Sequence, residues 1–175
     1  MTDTLLVPTL SLFLLQAPGD GWGMAPGKLG EVKRLYWELF DTTEVWVQVK
    51  PEVPEGKGPT PLQLVFQAFY NGREPKGAPA RVGARVVGPA VADLSFRLTY
   101  DGRTVDLTGP QGNSRLLWAS PVYANGVDAE IKIDVLRDFA AAASPGGVAL
   151  GIPFVLSAGD RTALRTFVAQ LGPQK

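Results

Sequence analysis

The chain has 175 residues, 45% of them hydrophobic, and its 17 lysines and arginines balance 17 aspartates and glutamates. A chain of this length can bury roughly two thirds of its unfolded surface, so it can form one domain with its own core. Cysteine and histidine are both absent, which excludes disulfides, thiol nucleophiles, histidine-dependent hydrolases and the commonest metal ligands. The composition therefore predicts no cofactor and no metal site, and the neutral balance predicts no nucleic-acid partner.

Residues 1–30 are predicted to be an apolar N-terminal arm, or a weak signal-like segment, followed by a glycine- and proline-rich loop. The apolar run, residues 5–17, has the length of a signal peptide, but Pro8 interrupts it and no lysine or arginine precedes it. This pattern favours a strand-like arm in a cytoplasmic protein, with a cleaved secretion signal as the alternative. The run is too short for a transmembrane helix, so we expect no stable membrane insertion.

Residues 31–175 are predicted to be one mainly β domain that ends in a helix-strand-helix segment. Residues 81–86 alternate valine and alanine with arginine and glycine, which predicts a short edge strand whose charges discourage pairing with another chain. Residues 62–70 predict a longer strand, because every second residue is apolar. One predicted face consists of Leu62, Leu64, Phe66, Ala68 and Tyr70, and the other consists of Gln63, Val65, Gln67 and Phe69.

The clearest local pattern predicts a hairpin over residues 94–107, because apolar alternation flanks the turn dipeptide Asp-Gly on both sides. Residues 115–124 predict another strand, interrupted near Pro121. After an Asn-Gly turn, residues 127–135 alternate again and predict a strand with one buried face and one wet face.

The C-terminal part of the chain changes to helical spacing. Asp134 is predicted to cap a short helix that ends before Pro145, and residues 148–156 then predict one buried strand. Asp160 is predicted to cap a final helix with an apolar stripe. The stripe consists of Ala163, Leu164, Phe167, Val168 and Leu171. The predicted fold is therefore mainly β: a single antiparallel β-sandwich-like domain with one or two C-terminal helices packed on it.

Carboxylates are the strongest candidates for acid–base chemistry in a chain without histidine. The strand predicted over residues 127–135 would place Asp128, Glu130 and Asp134 on one face, with side chains two residues apart separated by about 7 Å. Glycosidase carboxylates lie about 5 to 9 Å apart, so this spacing fits a glycan-active enzyme. Lys132 lies between them, however, and would pair with its neighbours, which favours a solvated charged face. The sequence thus favours a non-catalytic protein, because no catalytic motif is present.

The stretch LYWELFDTTEVWVQVKP, residues 35–51, holds two of the four tryptophans. A helix over residues 31–40 would leave Trp37 off its apolar stripe, so a hairpin that turns at Thr42-Thr43 is favoured. In that hairpin Leu39 pairs with Trp46, and both faces are apolar, so each face needs either cover or a ligand. The two faces are Tyr36, Phe40, Val45, Val47 and Val49, and Leu35, Trp37, Leu39 and Trp46.

An exposed indole ring can stack on a sugar ring or on another protein. Burial of the tryptophans is favoured, but Trp37 and Trp46 are the best candidates for a binding surface, with Trp118 and Tyr123 as outer candidates. The predicted function is a non-catalytic binding or structural β module that acts through a protein or glycan surface. The alternatives are a carboxylate-dependent glycan-active enzyme, and a subunit of a larger assembly that uses its N-terminal arm as an added strand.

Overall fold

The computed structural model describes residues 28–54, 62–89, 92–109, 114–119 and 125–172. In these residues the chain forms ten β-strands and two α-helices, and the strands pair antiparallel in two sheets. The strands are β1 Val32–Trp37, β2 Thr42–Val49, β3 Gln63–Asn71, β4 Arg81–Gly88, β5 Phe96–Tyr100, β6 Arg103–Asp106, β7 Ser114–Ala119, β8 Asn125–Glu130, β9 Gly146–Ala149 and β10 Ile152–Val155. The helices are α1 Ile133–Ala141 and α2 Ala158–Ala169. One sheet has the order β1-β2-β3-β4-β8-β7, and the other has the order β10-β9-β5-β6.

The six-stranded sheet buries one face because apolar residues recur at every second position of neighbouring strands. Phe66 of β3 lies between Val47 of β2 and Ala84 of β4. Ala84 pairs in turn with Ala129 of β8, so a row of buried side chains crosses four strands. The strand predicted over residues 62–70 is confirmed as β3, and the five apolar side chains of its first predicted face belong to the core.

The helices complete the core between the sheets. The ring of Phe139 in α1 lies 6.2 Å from that of Phe66 in the first sheet and 5.9 Å from that of Tyr100 in the second, centroid to centroid. Helix α2 adds Leu164 and Phe167 to the same core. This arrangement confirms the predicted fold class: the chain is mainly β, with two C-terminal helices packed against antiparallel sheets.

The predicted hairpin over residues 94–107 is confirmed as β5 and β6, with positive φ angles at Asp101 and Gly102 in the turn. On its other side β5 pairs with β9, where Gly147 faces Leu98. A Cβ at position 147 would overlap the carbonyl oxygen of Arg97. The close approach of β9 to β5 therefore requires glycine at this position.

The prediction that residues 81–86 form an edge strand is wrong, because β4 lies between β3 and β8. The arginines that suggested an edge have partners within the sheet. Arg85 pairs with Asp128 of β8, and the guanidinium of Arg81 lies 4.4 Å from the ring centroid of Phe69 in β3. Charges that would protect an exposed edge can thus be accommodated on the face of a central strand when the neighbouring strands supply partners.

The strand predicted over residues 127–135 is too long, because β8 ends at Glu130 and α1 begins at Ile133. The apolar residues there fit both the two-residue repeat of a strand and the spacing of a helix. The buried residues Ile133, Leu136 and Ala140 have helical spacing. Lys132, rather than Asp134, is the residue before the helix, and it provides no side-chain cap. Asp134 lies in the first turn, where a carboxylate complements the helix dipole.

The single buried strand predicted over residues 148–156 is also wrong, since β9 and β10 form a hairpin there. Its two-residue turn is Leu150-Gly151, and both residues have positive φ, of 53° and 70°. Such a turn normally uses asparagine or glycine at its first position. Leu150 occupies this position while its side chain is buried and its N–H donates to the carbonyl of Ser95, which offsets the backbone strain.

Helix α2 begins two residues earlier than the predicted cap at Asp160. Ser157 is the N-cap, and its hydroxyl oxygen accepts a hydrogen bond of 3.1 Å from the backbone N–H of Asp160. The same hydroxyl donates to the carboxylate of Asp160, so both the backbone and the side chain of Asp160 contact the cap. The apolar stripe predicted for this helix is confirmed, because its residues pack in or against the core.

The aromatic stretch is a hairpin, as the sequence favoured, but its register and turn differ from the prediction. The chain makes a 3-10 turn at Glu38–Phe40, and Asp41 follows in the left-handed conformation. As a result Trp37 pairs with Thr42, and Trp46 pairs with Lys33 rather than with Leu39. The extra residues in the turn move Leu39 and Phe40 out of the strands.

Candidate functional site

Both tryptophans of the hairpin lie on the same side of the six-stranded sheet, which we call the outer face because it is opposite the core. The register places Trp37 and Trp46 on this side, while Val45 and Val47 of the same hairpin point into the core. Trp46 pairs with Lys33, four positions before Trp37, so the two tryptophans are about 13 Å apart along the strands. The sequence correctly placed them on one face, but they do not form a continuous platform.

The two tryptophans differ in exposure. Trp37 is 36% exposed, whereas Trp46 is only 4% exposed and offers no free ring face. Trp37 instead belongs to a cluster of exposed apolar side chains at the edge of the sheet, in which Leu39 reaches 76% exposure. We call this cluster the edge patch, and it consists of Leu35, Trp37, Leu39 and Phe40.

The edge patch lies on β1 and on the turn that follows it. Among the described strands β1 has one neighbour, β2, so the other side of its backbone is a sheet edge. None of the residues in the 3-10 turn Glu38–Phe40 is buried. Exposed apolar groups beside an open strand edge are a combination that β proteins normally avoid, because such an edge can pair with another chain.

A set of polar contacts holds the turn in place. The hydroxyl of Tyr36 donates a hydrogen bond of 2.8 Å to the carboxylate of Asp41, and the guanidinium of Arg73 lies 5.0 Å from the Tyr36 ring centroid. The backbone N–H of Gly72 donates to the carbonyl of Asp41 at 2.7 Å, which joins the turn to the end of β3. The edge patch is therefore displayed on a braced turn.

Glu44 is a buried carboxylate on the outer face, only 7% exposed. The indole N–H of Trp37 donates a hydrogen bond of 3.0 Å to its Oε2. Burial raises the pKa of Glu44 above its ordinary value, and this effect outweighs the Trp37 hydrogen bond and the charge of Arg85, which lower it. The negative charge of Asp128 raises the pKa further.

Three further polar side chains, one each on β3, β4 and β8, contact one another on the same face. Both Arg85 and the side-chain amide of Gln67 contact the carboxylate of Asp128, at 3.8 Å and 2.9 Å respectively. Gln67 is fully buried, and its Oε1 and the Nε of Arg85 have no hydrogen-bond partner among the described residues. Gly83 lies directly opposite Gln67, and a Cβ there would come within 3.1 Å of the Gln67 amide nitrogen. Glycine therefore provides the space that the amide occupies.

The charged residues predicted to share a wet face at β8 differ in exposure: Glu130, Lys132 and Asp134 are exposed, as predicted, whereas Asp128 is largely buried. Asp128 pairs with Arg85 on β4. Asp134 lies on α1, so it does not join Asp128 and Glu130 on one strand face. The described residues contain no group of three or more acidic, histidine or cysteine side chains positioned to hold a metal ion.

The remaining predicted site residues are less informative. Trp118 lies in β7, where it pairs with Gly126 next to a register shift that begins at Leu116. Tyr123 lies outside the described residues. The proposed binding role of both residues stays a prediction.

Sequence reasoning missed Glu44, Gln67 and Arg85 as members of the outer face. Glu44 alternates with the valines of β2, so the two-residue repeat of a strand could have identified the side on which it lies. Its burial could not, because a glutamate opposite a valine run usually faces water. The partnership of Arg85 with Asp128 depends on the neighbouring position of β4 and β8, which are separated by more than thirty residues.

These features define a class of protein: a two-sheet antiparallel β protein with two C-terminal helices and an exposed apolar patch at one sheet edge. Comparison of the chain with protein-family models, curated proteins and solved structures gave no match. Neither α1 nor α2, the helices of the described residues, is long and apolar enough to cross a membrane.

Proposed function

We propose that this protein is a non-catalytic binding module that takes an extended apolar segment of a protein partner at the edge of β1. The observation that carries this proposal is the edge patch: four exposed apolar side chains beside the open edge of β1. A strand added to such an edge gains main-chain hydrogen bonds, and alternate side chains of the segment then meet alternate side chains of the sheet.

The arrangement within β1 suits this mode of binding. Leu35 and Trp37 are two residues apart and lie on the same side of the strand, as the alternating register requires. An added strand would place every second side chain beside them, on the same face of the sheet. Leu39 and Phe40 extend the apolar surface beyond the end of the strand, on the turn that Tyr36 braces.

A glycan surface is less well supported than a protein surface. Stacking on a sugar ring uses an open aromatic face, and a platform of two rings would need both Trp37 and Trp46. Trp46 is buried, and the indole N–H of Trp37 already donates to Glu44. A single exposed ring surrounded by leucine and phenylalanine fits an apolar protein segment better than a polar saccharide.

An enzyme is also less well supported. Asp128 is held by Arg85 and Gln67, and the Oε2 of Glu44 accepts a hydrogen bond from Trp37. Carboxylates engaged in this way on the face of a sheet fit a structural role, since a general acid or base must reach its substrate.

The proposal can be tested by fluorine NMR on the full chain labelled with 5-fluorotryptophan. Replacement of each tryptophan by phenylalanine assigns its resonance, and the probes are a peptide with leucine at alternate positions, the same peptide with serine for leucine, and a linear hexasaccharide. We expect the leucine peptide to shift the Trp37 resonance and to leave the buried Trp46 resonance much less affected.

The serine peptide is the matched control, because it keeps the length and backbone while it removes the apolar side chains. A Trp37 shift caused only by the hexasaccharide would replace the protein-binding proposal with a glycan-binding one. No Trp37 shift with any of the three probes would contradict a binding role for the edge patch.

A further inference from the structure

We propose that the segment that binds at the edge of β1 is the N-terminal arm of a second copy of this chain, residues 9–17. This inference rests on the proposed function, since it names the partner of the same edge patch. It makes the protein a self-assembling module in which the arm of one copy is added as a strand to β1 of another.

The sequence of the arm matches the edge in length and pattern. Residues 9–17, TLSLFLLQA, are bounded by Pro8 and Pro18, and their nine positions are sufficient to pair with the six residues of β1. Leucine recurs at every second position along the arm, so one side of an added strand would be apolar where Leu35 and Trp37 are exposed. The leucines on that side are Leu10, Leu12 and Leu14.

The exposure of the edge patch makes it available to a second copy. Within the described residues its four side chains are exposed, so a segment of another molecule can cover them. Apolar surface at an open strand edge is stabilised when another chain covers it.

Charge complements this pairing. Residues 1–27 contain two acidic side chains, Asp3 and Asp20, and no lysine or arginine. The strand β1 carries Lys33 and Arg34. Residues 9–17 themselves carry no charged side chain, so the two aspartates act from outside the paired segment. Their attraction to the basic residues of β1 contributes more to the rate and orientation of binding than to its affinity.

The connector between arm and edge permits the exchange. Residues 18–27 include glycine at positions 19, 21, 23 and 27. A glycine-rich chain of ten residues spans roughly 18 Å on average. This reach is compatible with pairing at a β1 edge, and the mass of the protein in solution separates the edge of a neighbour from the chain's own edge.

The test is the mass of the full chain in solution, measured by light scattering over a range of concentrations. We expect the wild-type protein to form assemblies of at least two 18.7 kDa chains. Leu12→Asp in the arm and Leu35→Asp in β1 should each weaken the assembly by roughly tenfold or more, because each places a charge in the new apolar contact.

Each variant has a matched control with the same new charge. Ser11→Asp adds an aspartate to the opposite side of the arm, and Leu29→Asp replaces another exposed leucine that precedes β1. We expect both controls to assemble as the wild type does. Circular dichroism of all four variants should match the wild-type spectrum, and a synthetic peptide of residues 9–17 should dissociate the wild-type assembly without any substitution.

Mixing the two defective variants tests the exchange itself. Leu12→Asp keeps an intact β1 edge and Leu35→Asp keeps an intact arm, so an equal mixture should form a complex of one chain of each. A mixture that stays monomeric would overturn the proposal.

Other results separate failure of this inference from failure of the proposed function. If Leu35→Asp disrupts assembly while Leu12→Asp does not, two β1 edges pair directly. That result overturns the role of the arm and supports β1 as the binding edge. A monomeric wild type overturns the arm inference, and the fluorine NMR titration then decides the proposed function independently. If neither substitution changes a stable assembly, the contact lies elsewhere and the arm inference is overturned.

Discussion

Trp37 and Glu44 are joined across the β1–β2 hairpin by a hydrogen bond of 3.0 Å from the indole N–H to the carboxylate, although they are diagonal neighbours rather than a direct pair. The bond links the exposed edge patch to the buried polar groups of the outer face. It orients the ring of Trp37 and gives a buried carboxylate a hydrogen-bond donor. The same contact therefore connects the proposed binding surface with the stability of the outer face.

Replacing Trp37 by phenylalanine should lower the free energy of unfolding by about 1 to 2 kcal/mol, because a buried carboxylate loses a hydrogen-bond donor while an aromatic ring is kept. Leu39→Ala is the control, since this more exposed side chain lies in the same patch and should cost less than about 0.5 kcal/mol. Urea unfolding at neutral pH measures both values. Equal costs for the two variants would contradict a stabilising role for the bond.

Replacing Glu44 by glutamine should change how stability depends on pH. Burial raises the pKa of Glu44 in the folded protein above its ordinary value of 4.5. The folded state therefore binds the proton more tightly than the unfolded state, so this contribution to stability is present below pH 4.5 and is lost as the pH rises through the folded pKa. Glutamine removes the contribution and retains an oxygen that can accept from Trp37.

We expect the stability of wild type relative to Glu44→Gln to fall as the pH is raised from 4 to 8. Unfolding curves for the two proteins at several pH values give this difference directly. Glu74→Gln, which removes one carboxylate charge from an exposed ion pair, controls for the change in net charge. A difference that rises with pH would show that ionised Glu44 stabilises the fold.

Asp128→Asn should destabilise the protein by about 3 kcal/mol, because it leaves Arg85 largely buried without a counter-charge. The same carboxylate-to-amide change at Glu74, whose pair with Lys76 is exposed, should cost less than about 0.5 kcal/mol. Denaturant unfolding of the two variants tests whether the buried pair matters. Similar small costs for both would mean that Arg85 finds an equivalent partner.

Gly83→Ala should cost about 1 to 3 kcal/mol, because the added methyl group would press on the amide of Gln67 within a packed face. Gly159→Ala is the matched control in α2, where the new Cβ would meet its nearest neighbour at an ordinary 3.7 Å. Alanine is favoured over glycine in a helix, so the control should be neutral or slightly stabilising. A neutral Gly83→Ala would indicate that Gln67 can move without loss.

Much of the fold could be predicted from the alternation of apolar and polar residues alone. The alternation in β3, β5 and β6 identified the strands correctly, because apolar residues recur at every second position on the side of each strand that faces the core. The errors arose where two periods fit the same residues, as at Ile133, or where unusual backbone was compensated by tertiary contacts, as at Leu150. The central position of β4 could not be inferred, since strand order depends on long-range pairing.

The candidate site was predictable only in part. The sequence placed Trp37 and Trp46 on one face, but their different exposure depends on how far each lies from the open edge. The edge patch depends on the 3-10 turn at Glu38–Phe40, and the sequence of residues 38–41 matches no standard turn signature. The burial of Gln67 could not be predicted, because glutamine is an ordinary polar residue of a strand and its partner Asp128 lies far along the chain.

Hydrogen exchange at the amides of β1 tests most directly the claim that this edge binds an extended segment. In the Leu12→Asp variant, whose β1 edge is intact and whose arm binds weakly, the amides of β1 that point away from β2 should exchange quickly. They should slow down when a leucine-alternating peptide is added, while the serine version of that peptide changes nothing. The account predicts protection at alternate residues of Val32–Trp37. Protection that is absent from β1, or that appears only on other elements, would contradict it.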